Sequence, residues 1–223
     1  DTAKTIRPTA SSRATIGSKS LVRGPSALYW RTTISVAAGA VAVVSELPAP
    51  EGLTSRWIQV SDVKAARLEA ARIFYKDPFA KLACHAVTGT NGKTTSAFLM
   101  NAMLESSGKK TALLGTIKNK IGDTSVVATL TTPGLLDLFA FAAKAVAAGC
   151  TDLVMEASSH SLVQGRVAGI RFRSALFSNL TQDHLDYHKT MENYFEAKKL
   201  LFTKYLAEDG VAGKPVVALI IEV

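Results

Sequence analysis

Residues 88–95 read Thr-Gly-Thr-Asn-Gly-Lys-Thr-Thr, and they are the strongest local signal in the sequence. It stands between an apolar run at residues 82–87 and a helical pattern over residues 94–106. Glycines let the backbone approach a polyphosphate closely, and the N–H groups at a helix start point at its oxygens. Lys93 can span the terminal phosphates, and the Thr94 hydroxyl can bind Mg²⁺. The stretch predicts a phosphate-binding loop; the alternative is a glycine turn beside a surface lysine.

The loop departs from the general pattern G-x-x-x-x-G-K-[ST], because Val87 occupies the position of the first glycine. We interpret this departure as limiting the families to which the loop can belong, and not as evidence against a phosphate-binding site. The predicted nucleotide-binding residues are Gly89, Thr90, Asn91, Gly92, Lys93, Thr94 and Thr95.

The chain beyond the loop repeats a pattern of strand, turn and helix, which indicates parallel strands. Gly122 and Asp123 are typical of a hairpin turn. The whole pattern predicts an α/β fold with a doubly wound, mostly parallel sheet that contains the phosphate-binding loop. Further strands are expected at residues 111–114, 152–156 and 174–180, and helices at residues 94–106, 135–148 and 191–206.

The chain before the loop predicts a smaller unit. An alanine-rich helix leads into a strand at residues 41–44, and a second short strand covers residues 57–60. A helix begins near Asp62, which is a plausible N-cap, and ends at Asp77-Pro78.

Two domains are expected from the break at Pro78. Residues 1–78 would form a partial, small α/β N-terminal domain, and residues 79–223 a truncated central domain. Residues 216–223 read as a buried strand that simply stops, so we expect a fragment of a longer protein.

The composition excludes several classes of protein. Of the 223 residues, 48% are hydrophobic and 20% charged, so most of the chain should fold. No apolar run approaches the roughly 20 residues that a membrane helix needs, so no membrane insertion is expected. Cys84 and Cys150 are expected to be buried thiols, which indicates a reducing compartment.

The positive charge lies mainly at the start of the chain. The net charge is +8, but residues 1–31 carry six basic side chains and one acid, which leaves 20 basic and 17 acidic side chains elsewhere. A basic pI of this origin does not favour nucleic-acid binding. The opening also has the composition of an organelle transit peptide, as an alternative to simple solvated charge.

Polar side chains follow another predicted strand where it ends, at residues 156–162. Open α/β sheets bind ligands at this position. Glu156 is placed to bind Mg²⁺, and Arg166 could hold an anionic substrate. The alternative is a surface loop with capping serines.

A third strand end, at residues 179–188, is rich in potential ligands but lacks the spacing of a structural zinc site. It favours a hard-metal or substrate loop. His85 is interpreted as a structural histidine, and composition alone predicts solvated charges at Lys198 and Lys199.

In this order, the segments at residues 89–95, 131–133, 156–162, 179–188 and 194–198 closely resemble the Mur ligases. Within that family they resemble the MurE branch, the UDP-N-acetylmuramoyl-tripeptide synthetases. The resemblance implies ATP-dependent addition of a third amino acid, meso-diaminopimelate or L-lysine, to UDP-N-acetylmuramoyl-L-alanyl-D-glutamate. The reaction would pass through an acyl phosphate and serve peptidoglycan biosynthesis.

The resemblance also implies roles for individual residues. ATP and Mg²⁺ would be the cofactors, Lys198 would be carbamylated, and the N-terminal domain would hold the UDP substrate. The implied catalytic residues are Lys93, His184 and Lys198; the implied metal ligands are Thr94, Glu156, His184 and Lys198; the implied substrate contacts are Thr131, Thr132, Ser159, Gln164 and Arg166.

Two other functions remain open on the sequence. One is a non-catalytic scaffold that keeps the fold of the Mur ligases, and the other is a related ligase such as folylpolyglutamate synthetase. The resemblance further implies a monomer in the cytoplasm, with the plastid stroma as alternative, whose partners are the UDP-MurNAc-dipeptide and an amino acid. Without a third domain, we expect the isolated fragment to be inactive.

Overall fold

The computed structural model describes residues 40–49 and 57–208. It divides into two compact units between Ala66 and Arg67. The expectations for residues 1–39 and 216–223 lie outside the described residues, and the domain boundary at residue 78 stays a prediction. Within the described part of the chain, no helix combines the length and apolar character that crossing a membrane requires.

The first unit contains two short parallel strands, β1 (Val43–Ser45) and β2 (Trp57–Gln59). Helix α1 (Val63–Tyr75) follows. Asp62 Oδ1 accepts the backbone N–H groups of Lys64 and Ala65, at 2.7 and 3.0 Å, which confirms Asp62 as the N-cap.

The second unit is a six-stranded mixed sheet in the order β6-β5-β4-β7-β3-β8. Four strands are parallel, and the hairpin of β5 and β6 adds antiparallel strands at one edge. The strands are β3 (Ala83–Thr88), β4 (Thr111–Leu114), β5 (Lys118–Ile121), β6 (Thr124–Val127), β7 (Asp152–Glu156) and β8 (Phe172–Phe177).

Three helices of this unit lie between its strands in sequence, and two follow the last strand, β8. They are α2 (Lys93–Ser106), α3 (Leu135–Ala147), α4 (Ser159–Val163), α5 (Leu185–His188) and α6 (Met191–Leu200), with a 3-10 turn at Pro78–Lys81 and a π-helical turn at Leu201–Tyr205. The helix predicted at residues 191–206 is therefore α-helical only as far as Leu200, because the turn that follows is π-helical.

Alternate residues of the central strands enter two apolar clusters. Val87, Leu113 and Val154 pack with Ala97 of α2 on one face of the sheet. Their strand neighbours pack on the other face with residues of α3, including Phe139. Helices therefore cover both faces, and the predicted doubly wound fold is confirmed.

Strand β8 differs from its prediction, because it covers residues 172–177 instead of 174–180. The residues that follow Phe177 leave the sheet and bind the turn after β3. The Ser178 hydroxyl donates to the Asn91 carbonyl at 2.5 Å, and Asn179 Oδ1 accepts the Asn91 N–H at 2.9 Å. Hydrogen bonds to this turn thus replace strand pairing.

His85 is buried and has partners at both ring nitrogens, which confirms its interpretation as structural. Nδ1 lies 2.7 Å from Ser174 Oγ, and Nε2 lies 3.2 Å from Asp152 Oδ1. Burial lowers the pKa of His85, and Asp152 acts in the opposite direction. Cys84 and Cys150 are also buried as free thiols, as predicted.

The lowered pKa of His85 predicts a loss of stability in acid. Below its ordinary pKa of 6.5, the ring binds a proton more readily in the unfolded chain than in the folded one. The contribution of the neutral His85 ring to the free energy of unfolding is therefore complete above pH 6.5. It is lost as the pH falls towards the pKa of His85 in the folded state. We expect the free energy of unfolding in urea to fall more for the wild type than for His85→Gln between about pH 7.5 and about pH 5.5. Equal losses would contradict this.

Gly89 begins the turn after β3 with a φ of 145°. A Cβ at this position would overlap the Ser178 hydroxyl and lie 3.0 Å from the Asn179 backbone nitrogen. Glycine is therefore required here both by backbone conformation and by close approach of the residues after β8.

Gly89→Ala is accordingly expected to destabilise the protein more than a matched glycine substitution. Gly149 also has a positive φ, of 80°, but a Cβ there would meet no atom within 4 Å. Gly149→Ala should cost about 1–2 kcal/mol of unfolding free energy, from the left-handed backbone alone. Gly89→Ala should cost more in the same denaturant titration, and an equal or smaller cost would show that the predicted overlap is relieved.

Candidate active site

The carboxyl ends of β3, β4, β7 and β8 lie at one edge of the sheet, beside a cavity of about 360 Å³. Ligands of open α/β sheets bind at this edge, where the strand order reverses. Every loop predicted to carry chemistry contributes to the cavity. The lining residues are Thr90, Asn91, Gly92, Lys93, Thr94, Thr116, Thr131, Glu156, Ser158, Ser159, His184, Tyr194 and Lys198.

The turn after β3 forms one wall, and Lys93 folds back over it. Lys93 Nζ donates hydrogen bonds to the carbonyls of Gly89 and Thr90, at 2.9 and 2.7 Å. Burial lowers the pKa of Lys93, while the negative charges of Glu156 and Asp183 act in the opposite direction. The ammonium group is thus held at the loop, beside the N-terminus of α2, where an anion is favoured.

Residues after β8 hold this turn in place. Besides the contacts of Ser178 and Asn179, the Thr90 hydroxyl donates to the Thr181 carbonyl at 3.1 Å and accepts the Thr181 N–H at 3.0 Å. The Thr90 N–H also donates to the Asn179 carbonyl at 3.0 Å. The loop is therefore bonded to a second strand end at several points.

Glu156 ends β7 as a fully buried carboxylate. Its Oε2 accepts the hydroxyls of Thr94 and Thr116, both at 3.0 Å, and its Oε1 accepts the Thr116 N–H at 2.8 Å. A Cβ on Gly115 would lie 2.6 Å from Oε1, so glycine there leaves room for the carboxylate. Three donors satisfy the buried charge, as burial requires.

Lys198 is buried beside the same loop, although composition predicted a solvated charge. Its Nζ donates to the Gly89 carbonyl at 2.7 Å and lies 4.3 Å from the centre of the Tyr194 ring. Burial, and then the positive charge of Lys93, lower the pKa of Lys198 to about 7. The prediction was wrong because helix α6 turns this residue towards the sheet.

Lys199, the next residue, behaves as predicted. Its side chain is 46% exposed and pairs with Glu196 at 2.9 Å. Adjacent lysines of one helix therefore lie in opposite environments, and a variant at Lys199 is a matched control for Lys198.

Three histidines form a cluster at one side of the cavity. The His160 ring lies 5.0 Å from the His184 ring and 5.4 Å from the His188 ring, between ring centres. Burial first, and then the charges of neighbouring groups, lower the pKa of His160 and of His188. Only His184 lines the cavity, with a left-handed backbone at φ 52°.

The donors at the cavity suit a hard cation in part. Glu156 and the hydroxyls of Thr94 and Thr116 supply oxygen atoms, which Mg²⁺ prefers. Among the residues described, no three His, Cys, Asp or Glu side chains are grouped so that they could hold a metal ion. A magnesium ion would therefore need phosphate or water oxygens to complete its coordination, which is its usual habit in nucleotide sites.

The predicted substrate contacts fall into two sets. Thr131 and Ser159 line the cavity. Thr132 is buried and donates to the Glu156 carbonyl at 2.8 Å. Arg166 Nη1 donates to the Thr132 carbonyl at 3.0 Å, and Arg166 Nε donates to Gln164 Oε1 at 2.8 Å. This second set supports the loop before α3 and does not line the cavity.

Some lining residues were not assigned a role from the sequence. Thr116, Ser158 and Tyr194 line the cavity. Thr116 is the second residue after the end of β4, so the rule that strand ends share one edge of the sheet would have found it. Conversely, Gly89 and Thr95 of the predicted loop do not line the cavity.

The sequence of the chain is similar to those of known proteins from one family. The family model for the Mur ligase middle domain matches residues 87–217, more than half of the chain. The UDP-N-acetylmuramoyl-L-alanyl-D-glutamate--2,6-diaminopimelate ligase of Solibacter usitatus is 45% identical over 181 residues, which cover 81% of this chain and 35% of that protein. The ligase of the same name from Geobacter metallireducens is 46% identical over 187 residues, covering 83% and 36%.

Solved structures agree with these sequences. A structure of a UDP-N-acetylmuramoyl-L-alanyl-D-glutamate--2,6-diaminopimelate ligase superposes with a TM-score of 0.65 at 35% identity, over 76% of this chain and 34% of that one. A MurF structure from Acinetobacter baumannii, at 17% identity and a TM-score of 0.52, covers 79% and 35% and shows the fold alone.

The chain spans about a third of the length of the curated relatives it matches. The matched segment includes the turn after β3, Glu156 and α6, which are the elements that build the cavity. The chain belongs to the Mur ligase family.

Proposed function

We propose that this chain is the ATP-binding part of a ligase that adds 2,6-diaminopimelate to UDP-N-acetylmuramoyl-L-alanyl-D-glutamate in peptidoglycan biosynthesis. The observation that carries the proposal is one cavity in which Lys93, Lys198 and Glu156 meet the turn after β3. The names of the relatives support this acceptor, and they favour diaminopimelate over lysine as the amino acid.

On the nucleotide side, the chain binds and orients phosphate groups. Lys93 leaves its two carbonyl partners and binds the terminal phosphates, and the N–H groups at the start of α2 face their oxygens. Thr94, Glu156 and His184 are the proposed protein ligands of Mg²⁺. Bound Mg-ATP would supply the phosphoryl group that activates a substrate carboxylate as an acyl phosphate. Positioning and charge neutralisation are the protein's share of catalysis.

On the acceptor side, Thr131 and Ser159 present hydroxyls to the same cavity. We assign contacts with the UDP-MurNAc-dipeptide to these two residues. Thr132, Gln164 and Arg166 complete the proposed acceptor site, because their hydrogen bonds order the adjoining loop and Arg166 keeps donors suited to an anion.

Lys198 is the proposed site of carbamylation, which turns its cation into an oxygen ligand for a second Mg²⁺. The reaction requires a neutral amine, which attacks CO₂ and releases one proton. A pKa of about 7 leaves a substantial neutral fraction at neutral pH, whereas an ordinary lysine at 10.5 has almost none. The buried amine also bonds to Gly89, so it is already fixed at the phosphate side of the cavity.

We infer a monomer that acts in the cytoplasm, with a plastid stroma as the alternative compartment. A scaffold without activity is the competing function, and it would have no need of two lysines, one buried and one half-buried, that donate to one carbonyl.

Lys93→Ala is expected to abolish binding of a fluorescent ATP analogue in the presence of Mg²⁺, because it removes the cation that spans the phosphates. Lys109→Ala, an exposed lysine away from the cavity, is the matched control and should bind as the wild type does. Fluorescence titration measures both. Wild-type affinity in Lys93→Ala, or no binding by the wild-type chain, would exclude this use of the loop.

Lys198 is expected to give a carbamate signal in ¹³C NMR spectra recorded under ¹³CO₂. The signal should grow as the pH rises through about 7, the pKa of this amine, because the neutral fraction grows. Lys198→Arg should lose the signal, and Lys199→Ala should keep it. A signal that persists in Lys198→Arg would place the modification elsewhere.

The whole reaction is tested on the complete natural polypeptide that carries this chain. With the UDP-MurNAc-dipeptide, diaminopimelate and ATP, phosphate release should depend on all three substrates. Binding of Mg-ATP without turnover would favour the scaffold, and turnover with a folate and glutamate would favour the folylpolyglutamate synthetase alternative.

A further inference from the structure

His188 reaches the wall of the cavity without lining it. Its Nε2 lies 2.9 Å from the hydroxyl oxygen of Ser159. The His188 side chain and Ser159 are both buried, with residue exposures of 6% and 2%. Ser159 in turn lines the cavity as the first residue of α4. The buried bond therefore connects α5 to a hydroxyl that is presented to ligands.

Packing fixes the orientation of the His188 ring. Its centre lies 5.2 Å from the ring of Tyr194 and 4.8 Å from that of Tyr187, with His160 at 5.4 Å. The Asn193 side chain donates to the His188 carbonyl at 3.1 Å, which holds the backbone as well. A ring enclosed on several sides keeps its nitrogen in place, so the bond to Ser159 is directional.

A serine hydroxyl has one proton and rotates freely unless a partner fixes it. The neighbouring hydroxyls of Ser158, the N-cap of α4, and of Ser161 within α4 have other partners. Ser158 Oγ accepts the Ser161 N–H, and the Ser161 hydroxyl donates to the Ser158 carbonyl at 2.7 Å. His188 is the side chain bonded to the Ser159 hydroxyl among the residues described. The imidazole therefore decides which rotamer and which polarity Ser159 presents to the cavity.

We propose that His188 is a positioning residue that orients the Ser159 hydroxyl for binding the acceptor substrate. The proposal rests on the proposed function, since it takes Ser159 as an acceptor contact. We expect His188 to affect the binding of the acceptor and not that of the nucleotide, because nucleotide binding depends on the turn after β3 and on Lys93.

The test measures two affinities in the complete natural polypeptide. The probes are UDP-N-acetylmuramoyl-L-alanyl-D-glutamate, through its KM at saturating ATP, and a non-hydrolysable ATP analogue, through its Kd. His188→Phe keeps a planar ring and removes the nitrogens. We expect about a threefold to tenfold rise in the KM of the acceptor, the size of one lost hydrogen bond, and an unchanged Kd for the nucleotide.

A double-mutant cycle separates positioning from general loosening of the site. Ser159→Ala should raise the same KM, and adding His188→Phe to it should have no further effect. Ser125→Ala, an exposed serine of β6, is the control and should change neither affinity. Additive effects of the two substitutions, or equal weakening of acceptor and nucleotide, would overturn the proposal.

A second pair of variants decides the question if His188→Phe does not fold. The terminal amide nitrogen of glutamine can take the place of Nε2, and the shorter asparagine cannot reach Ser159. His188→Gln should retain the wild-type KM for the acceptor, and His188→Asn should raise it. Equal values in both would overturn the proposal. Wild-type protein that binds nucleotide but not this acceptor would instead refute the proposed function, and His188 would lose its assigned role with it.

Discussion

Two lysine amines share one carbonyl oxygen beside the cavity. Lys93 and Lys198 donate to the Gly89 carbonyl at 2.9 and 2.7 Å, one from the start of α2 and the other from α6. Two amines that donate to the same oxygen are close enough for their positive charges to repel, and burial strengthens the repulsion because the local dielectric is low. The lowered pKa of each amine has burial as its first cause, and for Lys198 the charge of Lys93 is the second. An anion bound beside the two amines would reduce this repulsion.

The rest of the site follows from this constraint. Glu156 and Asp183 supply negative charge that opposes the lowering of the Lys93 pKa. Their carboxylates are already engaged, Glu156 by three donors and Asp183 by the His184 N–H at 2.8 Å. A polyphosphate brings further negative charge, and carbamylation would remove one of the two positive charges altogether. Polyphosphate binding and carbamylation would each reduce the repulsion between Lys93 and Lys198, the first by adding negative charge and the second by removing a positive charge.

Local sequence patterns predicted most of the fold. The strand before Gly89, the helix after it and the capping by Asp62 depend on neighbouring residues, so they are visible in the sequence. The end of β8 was predicted too late, because residues after Phe177 bond to a turn about ninety positions earlier in the chain.

The site was predictable where a motif carries it and not where packing creates it. The carboxylate of Glu156 and the loop lysine were found from strand ends and glycines. The burial of Lys198 was not, because lysine is ordinarily a solvated side chain and the next residue is also a lysine; only the packing of α6 distinguishes Lys198 from Lys199. Lys198 was singled out by the resemblance to the Mur ligases, and the composition of the chain could not have singled it out.

The turn after β3 is held in place by hydrogen bonds from the residues that follow β8. Ser178, Asn179 and Thr181 bond the turn from outside, so its backbone is ordered without help from a ligand. Binding to an ordered loop costs less conformational entropy than binding to one that must fold around phosphate. The same contacts explain why glycine is needed at residue 89, since a larger residue would push the second strand end away. The left-handed Gly89 therefore shapes the turn over which Lys93 folds, although Gly89 itself does not line the cavity.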